Sequence, residues 1–264
     1  MPLFRSLKFI FLLVMLAVSF CGCNRVNPVE EMARAIEDMR AGRLAEVIVR
    51  TDACLKLDSK NVDARLLNNY CRFMLAPKDG ERRNAIYALG KCTKEYPENA
   101  AAWYYYGYVL VQSNQEREAL AALRKALELM PVDASARNSA KLMLAKCCVD
   151  NNLQGEAKQL LRDLKVVTPP EARPQLFNAL GMLAVKGGNY RQAVGYFNNG
   201  LAFSRKNEVL NQNLAVTADL YLNDVALAMK YYRQCMTLRA MRGDTDGVQE
   251  VQKRLRQVAR RQRL

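Results

Sequence analysis

The sequence predicts an all-α chain built from repeated helix pairs. Three observations carry this. Past residue 28, apolar residues recur three and four apart, the period of a helix face, and not at two, the period of a half-buried strand. The segments so patterned have helix length, and they are broken by Pro77-Lys78-Asp79-Gly80, by Asn151-Asn152 and by Gly187-Gly188. The chain is also self-similar: Pro97 and Pro131, and likewise Ala85 and Ala119, stand 34 residues apart.

The repeat is plainest over residues 100–133, where Trp103, Gly107, Ala119, Ala126 and Pro131 fall at fixed offsets and Tyr106, Leu110 and Leu123 fill the apolar positions between them. This spacing resembles the tetratricopeptide repeat signature. The resemblance implies a right-handed α-solenoid of about six helix-turn-helix pairs, closed by a C-terminal capping helix. The spacing has a mechanical reason. Two antiparallel helices cannot bury their apolar faces alone, so repeats stack. Small residues at Gly107, Ala119 and Ala126 permit close approach, large ones such as Trp103 and Leu123 fill the layers, and Pro131 ends the second helix.

In chain order, residues 1–22 have the form of an export signal. Arg5 and Lys8 precede an apolar run of 12 residues, Phe9 to Phe20, and no acidic residue occurs before Glu30. The run is too short to span a bilayer comfortably and suits a signal h-region. Ser19-Phe20-Cys21-Gly22-Cys23 then resembles a bacterial lipobox, with Gly22 before the cysteine. That resemblance implies cleavage before Cys23, a lipid on its sulfur, and acylation of the new N-terminus. A plain cleaved signal and an uncleaved anchor helix are the alternatives. Two or more acyl chains give a stable anchor. Asn24 in place of Asp leans towards outer-membrane sorting, and residues 23–28 form a short tether.

The solenoid is expected over residues 29–243, with repeats near 28–61, 64–97, 100–133, 138–171, 174–207 and 209–242. The first is the most degenerate, keeping Ala35, Val47 and Cys54. The second keeps Ala85, Leu89 and Pro97 around a two-residue insertion near Pro77 to Gly80. The fourth supplies Leu144, Ala145, Ala157 and Leu161; the fifth Phe177, Gly181, Ala193 and Phe197; the sixth Val216, Ala228, Tyr232 and Cys235. Residues 244–264 are expected to form a basic capping helix and tail, because Val248, Val251, Leu255 and Val258 share one face and the remainder is polar.

Six cysteines lie past the lipobox: Cys54, Cys71, Cys92, Cys147, Cys148 and Cys235. Four of them occupy small-residue repeat positions, which predicts buried thiols acting as small hydrophobes. The alternative is one disulfide among Cys54, Cys71 and Cys92, in an exported and disulfide-permissive setting. No metal site is expected: the chain has no CxxC and no histidine. The absent histidine also excludes Ser-His-Asp triads, Cys-His pairs and imidazole proton shuttles. Acidic residues such as Glu116, Glu118 and Glu128 read as helix exteriors rather than a convergent pair, so no enzymatic activity and no cofactor are expected.

The resemblance places a peptide-binding groove on the first helix of each pair. Carried onto this chain, the groove positions are Asn68 and Arg72; Tyr104, Tyr108 and Gln112; Lys146; Asn178 and Lys186; and Asn213 and Thr217. Asparagine amides both donate to and accept from an extended backbone, the tyrosines suit an apolar or proline-containing segment, and the cations favour an acidic one. For Tyr104 to Tyr106 the competing role is packing between repeats. The Lys-Asn-Asn-Lys-Arg clamp for a C-terminal carboxylate, used by some members of that family, is not in register.

The chain carries 40 Lys and Arg against 26 Asp and Glu, a formal +14. Part of this is local: Lys253, Arg254, Arg256, Arg260, Arg261 and Arg263 lie in the last 12 residues with no acidic residue among them. An export signal argues against nucleic acid as partner, and such charge would suit anionic lipid or another polyanion. The expected function is a non-catalytic, membrane-anchored scaffold that holds a protein or peptide partner in cell-envelope assembly or maintenance, facing the bacterial periplasm. The alternative is a polyanion or membrane-surface binder acting through the basic C-terminal helix. The plan of signal, lipidated cysteine and helical repeats resembles both outer-membrane-protein assembly lipoproteins and type IV pilus pilotins, in architecture only.

Overall fold

The computed structural model describes residues 27–134, 136–167 and 170–261; the signal, the lipobox and Cys23 lie outside them, as does Arg263. Thirteen α-helices and no strand occur among the described residues. They are α1 (Pro28–Arg40), α2 (Leu44–Leu57), α3 (Val62–Leu75), α4 (Asp79–Glu95), α5 (Ala100–Gln112), α6 (Glu116–Leu129) and α7 (Arg137–Asp150). There follow α8 (Gln154–Val167), α9 (Arg173–Lys186), α10 (Tyr190–Phe203), α11 (Glu208–Leu220), α12 (Val225–Met241) and α13 (Thr245–Arg261). The fold is the expected all-α tetratricopeptide solenoid. The chain divides into two compact units, one ending at Ala85 and the other beginning at Ile86, so the division falls inside α4.

Two local devices set the helix boundaries. Asparagines begin several first helices: the side-chain oxygens of Asn27, Asn61, Asn99 and Asn207 accept from Val29, Ala64, Ala102 and Leu210 backbone N–H groups at 3.0–3.1 Å. Each satisfies a donor that a helix start leaves orphaned. The turns inside the pairs carry left-handed residues, namely Gly42, Asn114, Asn152, Gly188 and Asn223. Glycine and asparagine tolerate that conformation better than other residues, which explains why Asn151-Asn152 and Gly187-Gly188 punctuate the sequence.

One expected break moved. Pro77-Lys78-Asp79-Gly80 is not a free turn, because Asp79 and Gly80 form the first turn of α4. A carboxylate is favoured at a helix N-terminus, and this offsets the glycine.

In the first unit α1 packs on α2 and α2 on α3. Ala35, Val47, Cys54, Ala64 and Cys71 are fully buried there. Asp38 of α1 is also buried and takes bonds from Arg43 (2.9 and 2.5 Å) and Arg50 (2.5 Å). Those bonds, from Arg50 and then Arg43, hold its carboxyl below the ordinary value against the opposing effect of desolvation.

In the second unit each helix from α5 to α13 packs on the next. Small residues sit where neighbours press hardest. A Cβ on Gly107 would lie 2.8 Å from Leu123 Cγ, one on Gly200 would lie 2.7 Å from Leu210 Cδ1, and one on Gly181 would overlap the fully buried Phe197 ring. Trp103 donates from its indole to the Pro97 carbonyl at 2.7 Å, and Arg137 donates to the Leu127 and Met130 carbonyls at the end of α6. Arg124 of α6 grips Glu156 of α8 with two bonds, at 3.1 and 2.6 Å.

The last helix covers the stack as its sequence predicts. Val251 and Val258 are buried, with Leu255 partly so, against Ala215, Ala218, Ala228, Tyr232 and Cys235. Its start is fixed by Asp244, which accepts from the Gly247 N–H at 2.9 Å. All six cysteines of the described residues are buried. Burial raises Cys71, Cys147 and Cys235 to about 11 and Cys148 to about 12, so they are inert thiols within the core.

Candidate functional site

The helices that open the pairs of the second unit line up. Besides packing on its partner, α5 touches α7, α7 touches α9, and α9 touches α11. These helices carry most of the residues read as a groove: Tyr104, Tyr108 and Gln112 on α5, Lys146 on α7, Asn178 and Lys186 on α9, and Asn213 on α11.

An amide pair joins two of these helices. Asn213 Nδ2 donates to Asn178 Oδ1 at 2.7 Å, joining α11 to α9. Both side chains are half-buried. Among the described residues, the Asn178 amide nitrogen and the Asn213 amide oxygen have no other bond. The pair therefore keeps amide N–H donors and a carbonyl acceptor, the two functions that a peptide unit bonds to.

The aromatic and charged positions behave differently from one another. Tyr104 is chiefly a packing residue. It sits edge-on to Tyr105 at 5.5 Å, lies against the cluster of Ala126, Met130 and Ala140, and hydrogen-bonds Ser139. Burial, and then the neighbouring Tyr108, raise its phenol above the ordinary value. Tyr108 is half-buried and Gln112 exposed. Lys146 and Lys186 are exposed cations, and both act on Asp150 at the end of α7. Burial raises the Asp150 carboxyl first, Lys146 and Lys186 oppose the shift, and Glu116 adds to it. The face is thus mixed in charge rather than basic. Asp150 was legible as an i,i+4 neighbour of Lys146 but was not singled out.

Two expected groove residues, Asn68 and Thr217, are buried in the fold, and Arg72 bonds the first of them from an exposed position. Asn68 is 5% exposed. Its amide donates to Thr51 Oγ1 at 2.9 Å and Asp52 Oδ1 at 2.8 Å, and its oxygen accepts from Arg72 Nε at 2.7 Å. Arg72 is exposed but holds both oxygens of Asp52, at 3.1 and 2.9 Å. Thr217 is buried and returns its hydroxyl to the Asn213 carbonyl at 2.7 Å. A buried polar group needs a partner, and Asn68 and Thr217 have theirs inside the chain.

The basic C-terminus also needs correction: its charges are not all unopposed. Arg254 Nε donates to Asp219 Oδ2 at 2.6 Å, Arg261 pairs with Asp219 Oδ1, and the Tyr232 hydroxyl donates to Oδ2 at 3.1 Å. Asp219, on α11, has a fully buried side chain. Burial raises its carboxyl, but the bonds from Arg261 and Arg254 outweigh that and hold it below the ordinary value. Tyr232 is pushed to about 12, first by burial and then by the Asp219 charge. Lys253, Arg256 and Arg260 are exposed. Arg263 lies outside the described residues. Asp38 and Asp219 likewise correct the reading that acidic residues keep to helix exteriors.

The helices form a repeat solenoid of the tetratricopeptide type. The tetratricopeptide repeat family matches residues 78–139. Among solved structures the chain is similar to PilW, described as a widely conserved type IV pilus biogenesis factor, with 21% identity over 87% of this chain and 99% of PilW and a TM-score of 0.64. It is similar to PilF of Pseudomonas aeruginosa, with 17% identity over 86% of this chain and 97% of that one, TM-score 0.61. YrrB, described as a tetratricopeptide protein with an unusual peptide-binding site, matches with 18% identity over 72% of this chain and 92% of its own, TM-score 0.51. At these identities the likeness is one of fold.

Proposed function

We propose that the chain is a non-catalytic scaffold, lipid-anchored through Cys23, that holds an extended segment of a partner protein along the first helices of its second unit during assembly or maintenance of the cell envelope. The observation that supports this reading is the Asn178–Asn213 pair, which joins α9 to α11 and keeps amide donor and acceptor capacity on helices that, with α5 and α7, also carry Tyr108, Gln112, Lys146 and Lys186. The envelope setting rests on the signal-like residues 1–22 and on the fold shared with PilW, itself described as a pilus biogenesis factor. No helix of the described residues is long and apolar enough to cross a membrane.

Affinity capture from detergent-solubilised membranes tests both halves. Wild type should retain a specific partner that an Asn178→Ala/Asn213→Ala double variant loses, with the helical content of the two proteins equal. Cys23→Ser should move the protein from the membrane to the soluble fraction. Undiminished capture by the double variant would remove the face as the site, and an unmoved Cys23→Ser protein would remove the anchor.

A further inference from the structure

The junction between the last helix pair and α13 contains a cavity that the peptide face does not use. Its volume is about 360 Å³. That lies within the range of small-molecule sites, which form preferentially between helices and combine apolar walls with a few convergent polar groups. The apolar walls come from Val216 and Leu220 of α11, Tyr232 and Cys235 of α12, and Val251 of α13. Gln212, Arg239, Glu250, Lys253, Arg254 and Gln257 supply the polar part of the lining.

Two of these cations are held by the fold. Arg239 Nε bonds Glu208 at 2.9 Å, and its terminal nitrogens bond Gln212, the Gly247 carbonyl and Glu250 at 3.0–3.1 Å. Arg254 is fixed by Asp219. Arg242 and Arg261 share those same carboxylates. Around the cavity the cations Arg239, Arg242, Lys253, Arg254 and Arg261 therefore outnumber the anions Glu208, Asp219 and Glu250, and Lys253 has no ion pair among the described residues. An apolar cleft whose fixed charges leave a positive excess selects an apolar body carrying one negative charge.

We propose that this cavity is a second binding site, for a monocarboxylate with a single apolar group: the apolar part lies against Val216, Leu220 and Val251, and the carboxylate meets Lys253. Such a carboxylate could be a free small molecule or the end of a polypeptide, and the two sources are distinguishable. The site is independent of the peptide face, and its residues are not those altered to test that face.

The probes are 3-phenylpropanoate and its uncharged counterpart 3-phenylpropan-1-ol, with acetyl-Ala-Phe as free acid and as amide for the polypeptide source. Binding to the full chain is read by ligand-observed saturation-transfer NMR and by the rise in melting temperature that a native-state ligand produces. At least one of the two acids should bind roughly tenfold or more tightly than its neutral counterpart. Lys253→Glu should abolish that preference. Val216→Trp should remove binding by filling the cavity. Leu220→Trp, at a position 58% exposed, repeats that test where a large side chain is readily accommodated. Tighter binding of phenylpropanoate would assign a free small molecule, and tighter binding of acetyl-Ala-Phe acid a chain terminus. The proposal is overturned if neither acid binds, if acid and neutral probes bind alike, or if both cavity-filling variants bind as wild type does.

Discussion

Glycine 181 states the packing argument at its smallest. It lies where α9 meets α10, and a single added carbon would overlap the Phe197 ring, which is fully buried and has no room to turn aside. Gly107 meets Leu123 in the same way two helix pairs earlier, where α5 meets α6. Overpacking of this kind costs about 1–3 kcal/mol. Gly181→Leu should therefore lower the unfolding free energy from denaturant melts by that amount, whereas Gly195→Ala, on the exposed side of α10 with nothing within 4 Å of its Cβ, should not lower it measurably. Equal losses would mean that the effect is one of helix propensity and not of packing. These small positions were legible because they recur at a fixed offset. Asn68 and Thr217 were misplaced because offset alone cannot tell a side chain facing solvent from one whose partner lies within the fold. Thr51 and Asp52 receive Asn68 from the preceding helix, 17 and 16 residues away, a separation that follows no repeat rule.

At the scale of elements, α13 is the informative case. Its apolar face was plain in the sequence and gives the expected cap. Its charges were not, because Asp219 precedes Arg254 and Arg261 by 35 and 42 residues and forms no motif with them. The consequence is asymmetric. Removing both arginines leaves a carboxylate buried without a cation, which costs about 3–5 kcal/mol. Asp219→Asn leaves two arginines that are 35% and 40% exposed and can rehydrate, so the loss should be smaller. Adding Asp219→Asn to the Arg254→Ala/Arg261→Ala pair should then restore stability, as read by denaturant melts and by amide exchange in α13. No restoration would show that the pairing does not hold the helix. The pH dependence follows with its sign. Because the folded carboxyl lies below the ordinary value of about 3.9, its contribution is complete above that pH and disappears as the pH falls through the lower folded value. The Asp219→Asn protein should lack this acid-sensitive part.

For the molecule as a whole, a period of 34 residues and a handful of small and large residues were sufficient to anticipate the stacked helix pairs found among the described residues. Stacking repeats is a one-dimensional problem, so local pattern carries nearly all of the architecture. Function is a different kind of property. It depends on which residues of neighbouring first helices meet, and here that brings Asn178 and Asn213 together across 35 residues while it turns Asn68 and Arg72 towards Asp52. The cavity beneath α13 was similarly unreadable, since three helices contribute to it and no segment announces it. The central claim is that partner binding occurs on the face formed by α5, α7, α9 and α11. The most direct test is a photo-crosslinking amino acid placed in cells at Tyr108, Gln112, Lys146 and Lys186 on that face, and at the exposed positions Arg162 of α8 and Arg191 of α10 on second helices. The account predicts one shared crosslinked partner from the first-helix positions and none of it from the second-helix positions. Crosslinking from Arg162 and Arg191 with silence at the other four would contradict it.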